Sequence, residues 1–324
     1  MARRPAIADG WYSELIDGLP GLEDVVPRWA ARWLPRRGPL RGALLALLSV
    51  RAERVALIRH DPGWRSLLAL RALFGRRRKL VALHFIEPRP LRGLRGRADR
   101  WATRRALAAG HVLTAAEREA YARRYDVPRD RFVHVPFALR SATALPPAAD
   151  DGVIAAGRAE CDWETLSAAA RGASWRLTVV CSEADLATVR RLDPDGSATV
   201  HSELPRDRTR ALLAGSAVAV IAMRDSGAAQ GHVRLMEAVD AGAAVVATGV
   251  AALVDYAEDG ETALLVREGD AAELRGAVDR LLGDLAERER LRAAAFERAA
   301  RWTWTDYLAA IERLVLNAAP ARSR

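Results

Sequence analysis

The chain has 324 residues, half of them hydrophobic and 28% charged, with a net charge of +9; that length allows two domains with separate cores and excludes a disordered chain. Two cysteines, Cys161 and Cys181, stand without CxxC spacing, which speaks against a disulfide framework or a metal cluster and for free thiols in a reducing cytoplasm. The N-terminus lacks the apolar core of a signal peptide, and the longest apolar runs, "GALLALLSV" and "ALLAGSAVAVIAM", fall short of the roughly 20 residues of a spanning helix.

Charge is unevenly spread. Residues 1–145 hold 28 Arg and one Lys against 13 acids, a net of +16; residues 146–324 hold 21 Arg against 28 acids, a net of −7, and the two add to +9. So basic a half suits an anionic partner: a membrane surface, an acidic polymer, a phosphorylated substrate or nucleic acid. The plain alternative is a solvated basic surface partly neutralised by the acidic half.

In chain order, residues 11–48 read as mostly helical. "RVALIRH" (54–60) predicts a strand, "GWRSLLALRALFG" a helix and "RKLVALH" (78–84) a second strand. "RADRWATRRALAAG" predicts a helix, "HVLT" a short strand, "AAEREAYARRYD" a helix ending before Val127-Pro128, and "RFVHVPFA" a strand. "SATALPPAAD" (141–150), with two prolines and no periodicity, is the linker. Beyond it, strands and helices alternate strictly. "GVIAAG" (152–157), "RLTVVCS" (176–182), "ATVHSE" and "AVAVIAM" (217–223) are strands; "WETLSAAARG", "EADLATVRRL" and "PRDRTRALLAG" are the helices between them. "GHVRLMEAVDAG" is a further helix, "AAVVAT" a strand, "ALVDYAEDG" a short helix and "TALLV" a last strand. Such alternation implies a doubly wound α/β sheet that binds ligands at the carboxyl ends of its strands. The tail "RWTWTDYLAAIERLVL" is an amphipathic helix, with Trp302 and Trp304 read as packing residues. The domains expected are 1–145, basic; 146–300, the ligand-binding α/β domain; and 301–324, a C-terminal helix packing back on the first.

The helix from Gly231 carries one chemical oddity. His232, Leu235, Met236 and Val239 follow core spacing, whereas Glu237 lies off that stripe beside Val233. Helical side chains tilt toward the N-terminus, so Glu237 leans back to where the first backbone N–H groups lack helical partners. Those groups suit a diphosphate, and a carboxylate one turn further in accepts hydrogen bonds from neighbouring ribose hydroxyls. The bland alternative is a surface carboxylate paired with Arg234.

Residues 150–310 resemble the donor domain of retaining GT-B glycosyltransferases of glycosyltransferase family 4 (group 1). The resemblance is carried by Gly231, Glu237, the turn Ala238-Val239-Asp240-Ala241-Gly242, the strand Ala244-Val245-Val246-Ala247-Thr248, the segment "GVAALVDYAEDGETALLVREGD" and the Gly157-Arg158 pair. It implies a GT-B fold: two Rossmann-like doubly wound domains facing a cleft, the first one reduced. By resemblance Arg158 contacts the donor diphosphate, Glu237 the ribose, and Gly231, His232 and Val233 open the anion site. Where the family has an earlier glutamate toward the sugar, Ala229 stands here. A family lysine is replaced by Trp163, for which Arg224 can substitute. Glu203, after Ser202, is placed by position at the base pocket. The first half resembles the acceptor domain more loosely, through "RVALIRHDPGWRSLLALRALFGRRRKLVALH" and "HVLTAAEREAYARRYDVPRDRFVHVPF". His84 matches the family's histidine near the reacting sugar, and His60 is an acceptor-side candidate. The family's opening strand is not visible in residues 1–50.

The resemblance implies transfer of a sugar from a nucleotide-diphosphate sugar, as co-substrate, to an acceptor hydroxyl, with retention and without a metal or other cofactor. The acceptor is open between a glycan and a lipid-linked group. The location expected is cytoplasmic, peripheral at the inner membrane face. Two alternatives remain open: a non-catalytic GT-B scaffold or partner subunit, and a basic protein that binds nucleic acid or a membrane surface.

Overall fold

Two parallel sheets organise the protein. The computed structural model describes residues 6–7, 23–24, 39–49, 55–59, 61, 63–74, 80–87, 91–139, 144–146, 149 and 151–318. The chain divides into two units, residues 1–136 with 305–324, and residues 137–304.

The first unit contains β1 (Ala6–Ile7), β2 (Glu23–Asp24), β3 (Val55–Ile58), β4 (Leu80–Leu83), β5 (Leu107–Val112) and β6 (Phe132–His134), in the order β2-β1-β3-β4-β5-β6 and parallel throughout. Its helices are α1 (Pro39–Leu48), α2 (Trp64–Phe74), α3 (Gly93–Ala106) and α4 (Ala115–Tyr125). β3 and β4 are buried along their whole length, which is why "VALI" and "LVAL" are continuous apolar runs and not alternating ones. Trp64, Leu67 and Leu68 of α2 meet them in a core that includes Phe85, Tyr121 and Phe132. Arg59 lies in this apolar setting, its guanidinium 5.3 Å from the Phe85 ring centre and 5.4 Å from that of Trp64. Burial pulls the basicity of Arg59 down, but Glu87 at 2.7 Å, Tyr125 and Asp99 at 3.5 Å hold it above the ordinary value. The Tyr125 hydroxyl donates to Glu87 as well. The group is a closed set of charges, in which each buried ion is paired.

The second unit contains β7 (Val153–Ala156), α5 (Trp163–Ala170), β8 (Leu177–Cys181), α6 (Glu183–Leu192), β9 (Thr199–Ser202), α7 (Arg206–Ala214), β10 (Val218–Ile221), α8 (His232–Ala241), β11 (Ala244–Thr248), β12 (Leu264–Val266), α9 (Ala271–Gly283) and α10 (Leu285–Ala300). Its sheet runs β12-β11-β10-β7-β8-β9, again all parallel. Buried valines such as Val153, Val179, Val220 and Val246 form the centre of its core, covered by Trp163 and Leu166 of α5 and by Leu274 and Val278 of α9. The strand order reverses between β7 and β10, and the reversal opens a crevice at their carboxyl ends. α8 ends at Gly242, whose φ of 83° closes the helix, and Arg292 of α10 donates to the Gly242 carbonyl at 2.8 Å. The last helix, α11 (Trp304–Asn317), belongs to the first unit from residue 305 onward.

Three sequence expectations are corrected. An opening strand does exist: β1 pairs in parallel with Val55 and Ala56 of β3, but two residues are too few to show a period. The segment "ALVDYAEDG" is a run of turns over 251–256 and not a helix, because Tyr256 turns inward and accepts the Phe137 N–H at 2.9 Å. β5 begins at Leu107 and not at His111; its alanines are helix-prone, but Gly110 lies where an added Cβ would be 2.6 Å from the Phe132 ring, a contact that fixes the segment beside β6.

α1 crosses α2 at Gly42, where a Cβ would stand 2.4 Å from Ser66 Cβ and 2.6 Å from the Gly63 carbonyl. Gly42→Ala therefore forces the helices apart despite its better helix propensity. A loss of about 1–3 kcal/mol is expected from urea unfolding of the whole chain.

Candidate functional site

The crevice of the second unit is closed in from both sides by backbone. Asp162 N–H donates to the Ala222 carbonyl at 3.0 Å and Arg224 N–H to the Glu160 carbonyl at 3.0 Å, so the loops after β7 and β10 are stitched together. Two glycines allow this approach. A Cβ on Gly157 would lie 2.4 Å from Arg234 Nη1 and 2.5 Å from Cys161 Sγ; one on Gly231 would lie 2.2 Å from Met223 Sδ. Gly231 is also left-handed, with φ of 83°, as the residue before the first turn of α8. The α8 N-terminus is thereby aimed at the carboxyl edge of the sheet, where its dipole favours an anion.

Arginines surround this point. Arg234, in the first turn of α8, donates to the Ala159 carbonyl at 3.0 Å and reaches Cys161 Sγ at 3.2 Å, so it lies over the Gly157 loop. Burial pushes the Cys161 thiol up, with Arg234 pulling it back. Arg224 donates to Glu164 at 2.5 Å and lies 3.7 Å from Asp162; these two acids flank Trp163, whose ring is buried in the core. Arg158 and Glu203 come together as an exposed pair at 2.9 Å. Arg158 thus faces β9, away from the reversal between β7 and β10. Glu203 has φ of 49° and also accepts the Glu183 N–H.

Glu237 is half-buried and accepts from Arg206 of α7 at 2.6 Å, not from Arg234. Burial raises its proton affinity above the ordinary carboxylate range, against the opposing pull of Arg206. The His232 ring turns away from the crevice: it stacks on Tyr256 at 5.5 Å and meets Phe137 edge-on at 5.8 Å. Its backbone, with that of Val233, forms the first turn of α8. Ala229 is buried in the loop before Gly231. Trp304 packs edge-on to Phe137 at 5.6 Å, a contact within the second unit.

In the first unit His84 follows β4 with a left-handed φ of 42° and is buried. Its Nε2 is 2.8 Å from the Tyr307 hydroxyl, and its ring lies 5.1 Å from that of His111. His111 Nε2 is 2.8 Å from the Val135 carbonyl, and its Nδ1 faces the His84 N–H at 3.3 Å. A neutral ring protonated on Nε2 satisfies both contacts. His60 lies outside the described residues. Sequence reasoning missed Arg206, Arg234, His111 and Tyr307. Arg234 had a signal, being three residues after Gly231 in a first turn; the other three meet their partners only through tertiary packing.

Burial lowers the His111 pKa from 6.5 to about 4. The unfolded chain therefore takes up a proton that the folded one refuses. Stability should fall as pH drops from 6.5 toward 4, by a contribution of order 3 kcal/mol at the lower end. Urea midpoints of His111→Gln and the parent, compared across that window, check this: the variant should lose part of the slope.

Residues 162–284 match the family model described as "Glycosyl transferases group 1". A 70-residue stretch is 40% identical to D-inositol 3-phosphate glycosyltransferase of Stackebrandtia nassauensis, covering 22% of this chain and 16% of that relative. The fold is similar to that of sucrose-phosphate synthase from Thermosynechococcus elongatus, with TM-score 0.73 and 16% identity over 97% of this chain and 99% of the other. It is also similar to a glycosyltransferase from Rickettsia africae, with TM-score 0.70 and 12% identity over 98% of this chain and 100% of the other. Anabaena HepE, solved in complex with UDP, gives TM-score 0.71 and 14% identity over 97% of this chain and 100% of the other. Residues 162–284 are thus similar to group 1 glycosyltransferases, and they lie in a chain with the two-sheet fold of GT-B glycosyltransferases.

Proposed function

We propose that the protein transfers a sugar from a nucleotide-diphosphate sugar to an acceptor hydroxyl, with retention and without a metal. One observation carries the reading: a glycine-opened helix N-terminus faces the strand-order reversal, with Arg234 across its first turn and a half-buried carboxylate further along the same helix. The amide dipoles and Arg234, with Arg224, would meet the charge of the leaving diphosphate, and Arg158 would join them on leaving Glu203. Glu237 would accept from the ribose hydroxyls, in exchange for or beside Arg206. His84, its ring held by Tyr307 and His111, would lie near the reacting sugar. That Anabaena HepE was solved with UDP-glucose supports the donor class. The basic first half fits an acceptor on a glycan or a lipid, with an anionic membrane surface as partner and the inner face of the membrane as location.

A second reading, a GT-B scaffold without activity, is favoured by Ala229 and by the ion pairs that occupy Glu237 and Arg158. Calorimetric titration separates the two: a scaffold gives no binding with UDP-, GDP- or TDP-sugars, whereas the enzyme binds one of them and slowly hydrolyses it in the presence of EDTA.

Glu237→Ala is expected to weaken donor binding by about 1.5–3 kcal/mol, one charge-assisted set of hydrogen bonds. Equal dissociation constants for parent and variant would remove the ribose role. The pH dependence has a definite sign. Folded Glu237 takes up its proton above the ordinary carboxylate range, so donor affinity should decline on acidification earlier than a free carboxylate would cause. Arg206→Ala removes the charge opposing burial and should move that decline to still higher pH, while Glu237→Gln should abolish it.

A further inference from the structure

Seven of the nine large hydrophobic side chains exposed among the described residues lie on α1, α2 and α3. They include Leu47, 67% exposed, Phe74, 79% exposed, Leu94, 80% exposed, and Trp101, 48% exposed. Two arginine staples hold the C-terminal ends of these helices side by side. Arg71 of α2 donates to the Ser49 carbonyl at 3.0 Å and to its hydroxyl at 2.6 Å, just past α1. Arg105 of α3 donates to the Ala72 carbonyl at 2.6 Å, in the last turn of α2. Leu47, Leu48, Leu73 and Phe74 are thereby brought to one end of the helical layer, next to the last turns of α3.

The charges there are of one sign. The three helices carry eight arginines and one acid, Asp99. Asp99 is turned inward, 3.5 Å from buried Arg59, so none of the described residues of these three helices turns a carboxylate outward. Two further acids neutralise arginines from outside the helices: Asp61 holds Arg41 at 2.6 Å, and Asp126 holds Arg104 at 2.7 Å. Along α3 the exposed positions 94, 97, 98, 101 and 105 follow the helical period, so Leu94, Arg97, Ala98, Trp101 and Arg105 share one face.

We propose that this face of the first unit docks on an anionic lipid bilayer, with its apolar side chains entering the headgroup boundary and its arginines on the lipid phosphates. Exposed apolar groups interleaved with exposed arginines are what an interfacial surface needs. A nucleic acid would satisfy the arginines but leave Phe74, Leu47 and Leu94 in water. A second copy of the chain would bring like charges together. The inference places on named helices the membrane contact suggested for the first half, and it is independent of the donor chemistry.

The test is flotation of the full chain with vesicles of phosphatidylcholine containing phosphatidylglycerol, and with phosphatidylcholine alone. Donor titration of the same samples is read separately, so a failed docking surface and a failed donor site give different patterns. The parent should float with the anionic vesicles only. Phe74→Ser, Leu94→Ser and Trp101→Ser combined should lower partitioning at least about tenfold, and Arg97→Glu should lower it as well. The same change at the two exposed hydrophobics of the second unit, Val254→Ser and Leu285→Ser, should leave it unaltered. Unchanged thermal unfolding certifies that the variants are folded. The proposal is overturned if the apolar triple variant floats like the parent, or if the parent floats equally without anionic lipid. It is equally overturned if the parent ignores vesicles and the triple variant instead abolishes self-association in light scattering or binding to a polynucleotide.

Discussion

The second unit depends on two missing side chains. At the strand-order reversal the loop after β7 and the start of α8 pass so close that Gly157 and Gly231 have no room for a Cβ. Their absence lets Arg234 lie across the first loop and lets Met223 sit under the second glycine. The chemistry of the site follows from this closeness. It sets a helix N-terminus, a guanidinium and a carboxylate on one short helix, at the place where a parallel sheet offers its carboxyl ends. Bulk at either glycine would separate the loops and lose the alignment, with the sheet itself left intact.

The charged groups of the site are paired with one another. Arg158 meets Glu203, Arg224 meets Glu164 and Arg206 meets Glu237. These pairs are exposed or half-exposed, so each is weak and easily exchanged for a ligand. The charges of the first unit behave differently. Arg59, Glu87 and Asp99 lie beside an aromatic shell, and removing Arg59 would take from two buried carboxylates the guanidinium they share. One set is arranged to be displaced and the other to stay.

Much of this was legible in the sequence, for identifiable reasons. Parallel strands buried on both faces give unbroken runs such as "VAVI" and "AVVAT", and these fall where the sheet has them. Gly231 and Glu237 were visible because a helix period and an off-stripe acid are both local patterns. The two-residue β1 was invisible because it is held by its neighbours and not by its own residues. The turns at 251–256 were misread as a helix because Tyr256 answers to Phe137 and His232, more than a dozen residues away. The Glu237 partner escaped for the same reason: Arg206 is 31 positions distant, and only the packing of α7 against α8 brings it near.

The first unit is discontinuous: residues 305–324 complete what residues 1–136 begin. Tyr307, wholly buried, is the hydroxyl partner of His84 and also faces His111 at 5.9 Å between ring centres. During synthesis the ribosome must therefore deliver the entire second unit before this histidine pair can acquire its lid. Until then His84 lacks the hydroxyl that meets its Nε2 in the folded protein.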